Sequence, residues 1–118
     1  MPRFLMLIRI DEQDPPPEDF PPGFEQRMGA LMDELTQAGV MLDTAGLLPT
    51  SEGTRITWSG GRTSFTDGPF TETKEVVGGY IFLRCKDKAE ALAWTKRFLE
   101  AHPAEWTVGA EVRQVHEM

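Results

Sequence analysis

The chain has 118 residues, 40% apolar and 26% charged, which suits one domain (residues 1–118) able to bury a core without metal or disulfide staples and excludes a disordered chain. Nineteen Asp and Glu against twelve Lys and Arg leave a net charge of −7, which repels nucleic-acid phosphates and anionic membranes and makes both unexpected partners. Met1–Phe4 lacks the apolar region of a secretory leader, and no apolar run approaches the roughly 18 residues that span a bilayer, so the expected compartment is the cytoplasm.

Residues 3–10 read as a strand. Phe4, Met6, Ile8 and Ile10 point one way and Leu5 and Leu7 the other, so both faces need cover. Residues 11–22 are acidic and proline-rich, an extended surface loop. Phe24, Met28, Leu31, Leu35 and Ala38 recur at helical spacing, and Gly39 supplies a stop. Residues 40–45 form a second strand, broken by Gly46-Leu47-Leu48-Pro49. Residues 54–58 and 62–66 flank Ser59-Gly60-Gly61 as a hairpin. Asp67-Gly68-Pro69 is a turn signal, and residues 71–75 are a polar connector. Residues 76–84 form the longest strand, with Gly78-Gly79 near its start. Asp87 with Glu90 opens a second helix as a capping box, Leu92, Thr95, Phe98 and Leu99 are expected inside, and Pro103 marks its end. Residues 110–115 close the chain as a strand.

The order β-α-β, hairpin, β-α-β predicts an α+β fold: a ferredoxin-like split βαβ with an inserted β-hairpin. Two helices cover one sheet face. Yet the first strand is apolar on both faces, and the long strand sets Val77, Ile81 and Leu83 against Val76, Tyr80 and Phe82. The uncovered apolar face predicts a homodimer, two sheets packing as a dimeric α+β barrel.

The single cysteine, Cys85, lies in an apolar run and reads as a buried small hydrophobe. Asp67 has two readings: a side-chain cap shaping the turn, or a catalytic carboxylate at a cleft rim. Glu72, Lys74 and Glu75 read either as a solvated connector or as an anion-binding Lys74 beside a proton-moving carboxylate. Trp58, Phe70 and Tyr80 are candidate pocket walls, so the ligand-binding set is Trp58, Phe70, Glu72, Lys74 and Tyr80. The pocket is expected between sheet and helices or at the barrel mouth. Gly78-Gly79 suggests a bulge or a close approach by backbone or ligand. Asp43 either faces solvent or needs a partner inside the barrel. His102, at an expected exposed helix end, and His116 have no acid or cysteine at metal-ligand spacing, so no metal and no cofactor are expected.

From Asp67-Gly68-Pro69-Phe70 through Thr71-Glu72-Thr73-Lys74-Glu75 to Val77-Gly78-Gly79-Tyr80-Ile81, the chain resembles the YCII-related family in its DGPF branch. Phe4-Leu5-Met6-Leu7-Ile8, Gly46-Leu47-Leu48-Pro49 and Glu90-Ala91-Leu92-Ala93-Trp94 extend the likeness, in order, over nearly the whole chain. The resemblance implies a dimeric ferredoxin-like fold. Members resembling muconolactone-processing enzymes, a dehalogenase among them, imply small-molecule binding with proton transfer on an organic acid or lactone. Gene neighbourhoods shared with extracytoplasmic-function sigma factors imply the alternative, a non-catalytic accessory with a sigma-factor partner. Narrower members pair a first-helix His with an Asp. Here Gln26, Arg27 and Met28 occupy that stretch, and the chain departs from the pair.

Overall fold

The computed structural model describes residues 1–17 and 19–118. In chain order it holds β1 (Arg3–Ile10), α1 (Phe24–Gln37), β2 (Met41–Gly46), a 3-10 turn (Thr50–Glu52), β3 (Thr54–Ser59), β4 (Arg62–Asp67), β5 (Val76–Arg84), α2 (Lys88–Glu100) and β6 (Gly109–Gln114). Strands β2, β5, β1 and β6 form one sheet in that order, with each neighbouring pair antiparallel. This is the ferredoxin-like α+β arrangement, with β3 and β4 inserted as a separate two-stranded sheet.

Both helices close as local chemistry dictates. Gly39 takes a left-handed φ of 71° after α1, and Val40 N–H reaches back to the Leu35 carbonyl at 3.0 Å. At the start of α2, Asp87 Oδ1 accepts from Glu90 N–H at 2.9 Å, and the Glu90 carboxylate accepts from Lys86 N–H at 2.7 Å. Among the described residues, no helix is long and apolar enough to cross a membrane.

The core lies between the helices and one sheet face. Phe4 and Met6 of β1, Ile81 and Leu83 of β5, Leu31 and Leu35 of α1, and Ala91 and Phe98 of α2 are buried together with Val40 and Cys85. Burial pushes the Cys85 thiol up to about 11, with Glu90 and Asp87 adding to the shift. Thr95 and Phe98 are buried as expected, but Leu92 and Ala38, expected inside, are exposed, and Ala91 completes the buried stripe of α2 in place of Leu92.

The opposite face carries Leu5 and Leu7 of β1, Tyr80 and Phe82 of β5, and Glu111 and Arg113 of β6, with no helix over it. Here the alternation expected for β5 is corrected. A bulge at Gly78 pairs Arg9 with Val77 and Ile10 with Val76, so Val76 joins Ile81 in the core and Val77 turns to the open face. The glycine pair has a steric cause as well. A Cβ on Gly79 would sit 2.8 Å from the Ala45 carbonyl oxygen, and one on Gly78 would sit 2.9 Å from Ile10 Cδ1.

The β3–β4 hairpin turns through Gly60 and Gly61, both at positive φ (61° and 75°), the geometry that matches strand twist in a two-residue turn. Every residue of both strands is exposed. The chain's radius of gyration is 16.3 Å, against about 13–14 Å for a compact chain of this length.

Candidate functional site

Three cavities lie at one end of the sheet, where β1 leaves into the loop of residues 11–17 and the hairpin begins and returns, and another lies beside residues 19–26 at the start of α1. The space between sheet and helices, one of the two expected positions, is filled by the core.

The scaffold of this end is polar and long-range. The Glu12 carboxylate accepts from Thr50 N–H at 2.8 Å and from the Thr50 hydroxyl. The Thr50 Oγ1 atom in turn accepts from Phe70 N–H at 3.2 Å. Gly68 N–H donates to the Gly53 carbonyl at 2.9 Å. A Cβ on Gly68 would fall 1.7 Å from the Thr50 carbonyl oxygen, so only glycine fits. The Asp67-Gly68-Pro69 turn is therefore shaped by close packing against residues 50–53.

Asp67 does not cap its own turn. It is the last residue of β4, opposite Thr54, and its Oδ1 accepts from the Thr54 hydroxyl at 2.9 Å. Phe70 and Glu72 are brought together by a residue that sequence reasoning did not single out. The Arg55 guanidinium stacks over the Phe70 ring at 3.8 Å, pairs with the Glu72 carboxylate, and donates to Thr73 Oγ1 at 3.2 Å. A hydrogen bond from its own backbone amide, followed by the bond from Arg55, holds the Glu72 carboxyl below the usual carboxylate range.

Two hollows open on either side of Val77. One, of about 300 Å³, is lined by Arg9, Thr50, Arg55, Phe70, Glu75 and Val76. The other, of about 400 Å³, is mainly apolar, with Ile10, Leu47, Leu48, Pro49 and Pro69 around it and Glu12 at its wall. Arg9 is also tied to Glu111 at 3.2 Å across the open face. Lys74 lines a third cavity of about 400 Å³ with Asp11, Asp14 and Trp106, which shares Glu75 with the first hollow.

The remaining candidates are dispersed. Tyr80 sits on the open face, where its hydroxyl donates to Asp43 Oδ2 at 2.9 Å. That bond, reinforced by the Asp43 charge, raises the phenol above its ordinary value. Asp43 thus has a partner on the open face. Trp58 is far out on the hairpin and 73% exposed. The structure thus gathers Phe70 and Glu72 on Arg55, ties Asp67 to Thr54 and Tyr80 to Asp43, and leaves Lys74 in the adjoining cavity and Trp58 out on the hairpin.

His102 is not on the surface. It is half-buried among the rings of Phe24, Phe98 and Trp106, at centroid distances of 5.5, 4.9 and 6.3 Å. Its Nδ1 lies 2.9 Å from the Phe98 carbonyl, which can only accept, so Nδ1 carries the proton. Among the described residues, no three His, Cys, Asp or Glu converge as a metal site.

Arg9, Glu12, Thr50 and Arg55 complete the site. Arg9, a charge set between Ile8 and Ile10 near the end of β1, was the one legible signal among them.

A family model of the YCII-related domain matches residues 4–118. The chain is also similar to uncharacterized protein R00369 of Rhizobium meliloti (strain 1021). The two are 34% identical over 86 residues, which cover 73% of this chain and 68% of the relative.

Proposed function

The chain belongs to the YCII-related family, and we propose that it works as a homodimer, a dimeric α+β barrel, that binds a small organic acid at the Arg9–Arg55–Glu75 cleft. The Asp67-Gly68-Pro69-Phe70 turn supports a reading of the chain as one of the DGPF branch. The observation that carries the proposal is the lining of that cleft: two guanidiniums and one carboxylate around about 300 Å³, next to an apolar hollow. A guanidinium offers a ligand carboxylate a fork of donors that lysine does not match. The apolar part of the ligand has Leu47, Leu48 and Pro49 beside it. Glu75 is the carboxylate positioned to take or return a proton on the bound acid. Asp67, engaged with Thr54, is outside this arrangement.

The dimer is supported by the open sheet face, where Leu5, Leu7, Val77, Tyr80 and Phe82 form an apolar centre flanked by Arg9, Glu111 and Arg113. A patch of this kind, apolar within a polar rim, has the anatomy of an interface.

The test is calorimetric titration and thermal shift with small aliphatic carboxylates and lactones on wild type, Arg9→Ala and Asp67→Asn. A ligand at 100 times its Kd adds about 2.7 kcal/mol, or about 10 °C in Tm for a domain of this size. Arg9→Ala is expected to weaken binding at least about tenfold, as loss of a charged hydrogen bond does, while Asp67→Asn binds as wild type does. Equal binding by Arg9→Ala and wild type moves the site away from this cleft.

A further inference from the structure

The β3–β4 hairpin is amphipathic. Cross-strand pairing puts Ile56 opposite Phe65 and Trp58 opposite Thr63 on one face, with Arg55, Thr57, Ser64 and Thr66 on the other. Among the described residues none covers the apolar face: Ile56, Trp58 and Phe65 are 62%, 73% and 69% exposed. An isolated two-stranded hairpin is marginal in water, and three large side chains on one face of it call for a cover. The hairpin's legs are joined at the base by the Gly68–Gly53 bond, and Arg55 fixes them there on Phe70 and Glu72. From there its six-residue strands reach about 20 Å outward.

We propose that this hairpin is an arm that lays Ile56, Trp58 and Phe65 over the Leu47–Leu48 hollow of a second copy of this chain, so that each copy's cleft is completed by the other. The proposal rests on the dimer reading above. Two observations select a second copy as the occupant. The first is area. Four strands at about 4.8 Å spacing with about 20 Å of paired length give the open face a footprint of roughly 400 Å², about half of the roughly 800 Å² each partner buries in a stable dimer; the arm supplies area that the sheet lacks. The second is complementarity within one sequence. Leu47 and Leu48, 52% and 78% exposed, form an uncovered apolar wall beside Val77 at the rim of the open face. An arm and a hollow on the same chain give two identical contacts about a two-fold axis, the closed arrangement of an isologous dimer.

The experiment is sedimentation equilibrium of the full chain as wild type, as Ile56→Asp with Phe65→Asp, as Leu48→Asp, and as Thr57→Asp. The altered side chains are exposed within one chain, so the fold of each copy is retained; circular dichroism checks this. The wild type is expected to dimerise. The arm variant and Leu48→Asp are each expected to raise the dimer dissociation constant by about 30-fold or more, the size of an interface hot spot. Thr57→Asp, which puts the same charge on the polar face, is expected to leave it unchanged. A dimer indifferent to the arm variant overturns the arm and leaves the dimer reading standing. Weakening by the arm variant with Leu48→Asp silent overturns the pairing of arm with hollow. A monomeric wild type overturns both readings.

Discussion

The two faces of the four-stranded sheet are built from similar residues and meet opposite fates. On β1, Phe4 and Met6 face the helices and are 1% and 0% exposed, while Leu5 and Leu7, one position along, face outward and stay half-buried. On β5, Ile81 and Leu83 are sealed while Tyr80 and Phe82 are not. The apolar alternation alone does not distinguish the faces. Covering does, and it comes from α1 and α2, whose buried stripes are spent on one side. The helix-side face therefore accounts for folding, and the open face keeps apolar surface that neither helix covers.

The comparison is broken most directly on the helix side. Leu35→Ala removes a fully buried side chain from α1 and is expected to cost about 2–5 kcal/mol, read as a lower midpoint in urea unfolding. A loss below about 1 kcal/mol would mean that the core is not closed where Leu35 sits.

On the open face, Leu7→Asp separates folding from assembly. The variant is expected to remain folded and become monomeric, and its Tm to lose the concentration dependence that a dimer imposes. If Leu7→Asp lowers Tm equally at every concentration, as Leu35→Ala does, then both faces belong to the folding core and the contrast between them fails.

The finest probe is Tyr80, the only tyrosine in the chain. Its neutral phenol donates to Asp43, which raises its pKa from 10.0. A raised folded value means that the bond's contribution is complete below pH 10 and is lost as pH climbs through the folded pKa. Asp43→Asn is expected to bring the tyrosinate absorbance titration back toward 10. An unmoved titration curve would show that the Tyr80–Asp43 bond is absent in solution.

The helix-side core was the most legible part of the chain, because Phe4, Met6, Leu31, Leu35 and Phe98 obey a strand or helix period that needs no knowledge of distant partners. The misreadings arise where a period is interrupted. Val76 and Val77 exchange faces because one extra residue, Gly78, is inserted between paired positions. Leu92 is exposed because α2 turns its Ala91–Thr95–Phe98 stripe to the sheet, and small residues there carry little signal. The candidate site was less legible still. Glu12 bonds Thr50 across 38 positions and Arg55 pairs with Glu72 across 17. Contacts of that span follow from how loops meet, and no local pattern marks them. Gly68 was readable as a turn residue, but the Thr50 carbonyl that excludes a side chain there was not.

The way the hairpin is rooted has a mechanical consequence. Its two legs are bound to each other along six cross-strand pairs and at the Gly53–Gly68 bond, while the link to the body is concentrated within the few residues around Thr50, Arg55 and Phe70. It is therefore a lever with a short fulcrum. With a length of about 20 Å, a tilt of about 10° at Gly68 carries Trp58 through roughly 3 Å, the width of a water molecule. Small adjustments among Glu12, Thr50 and Phe70 are thus magnified at the far end of the molecule, and a change at the root of the arm is felt first at its tip.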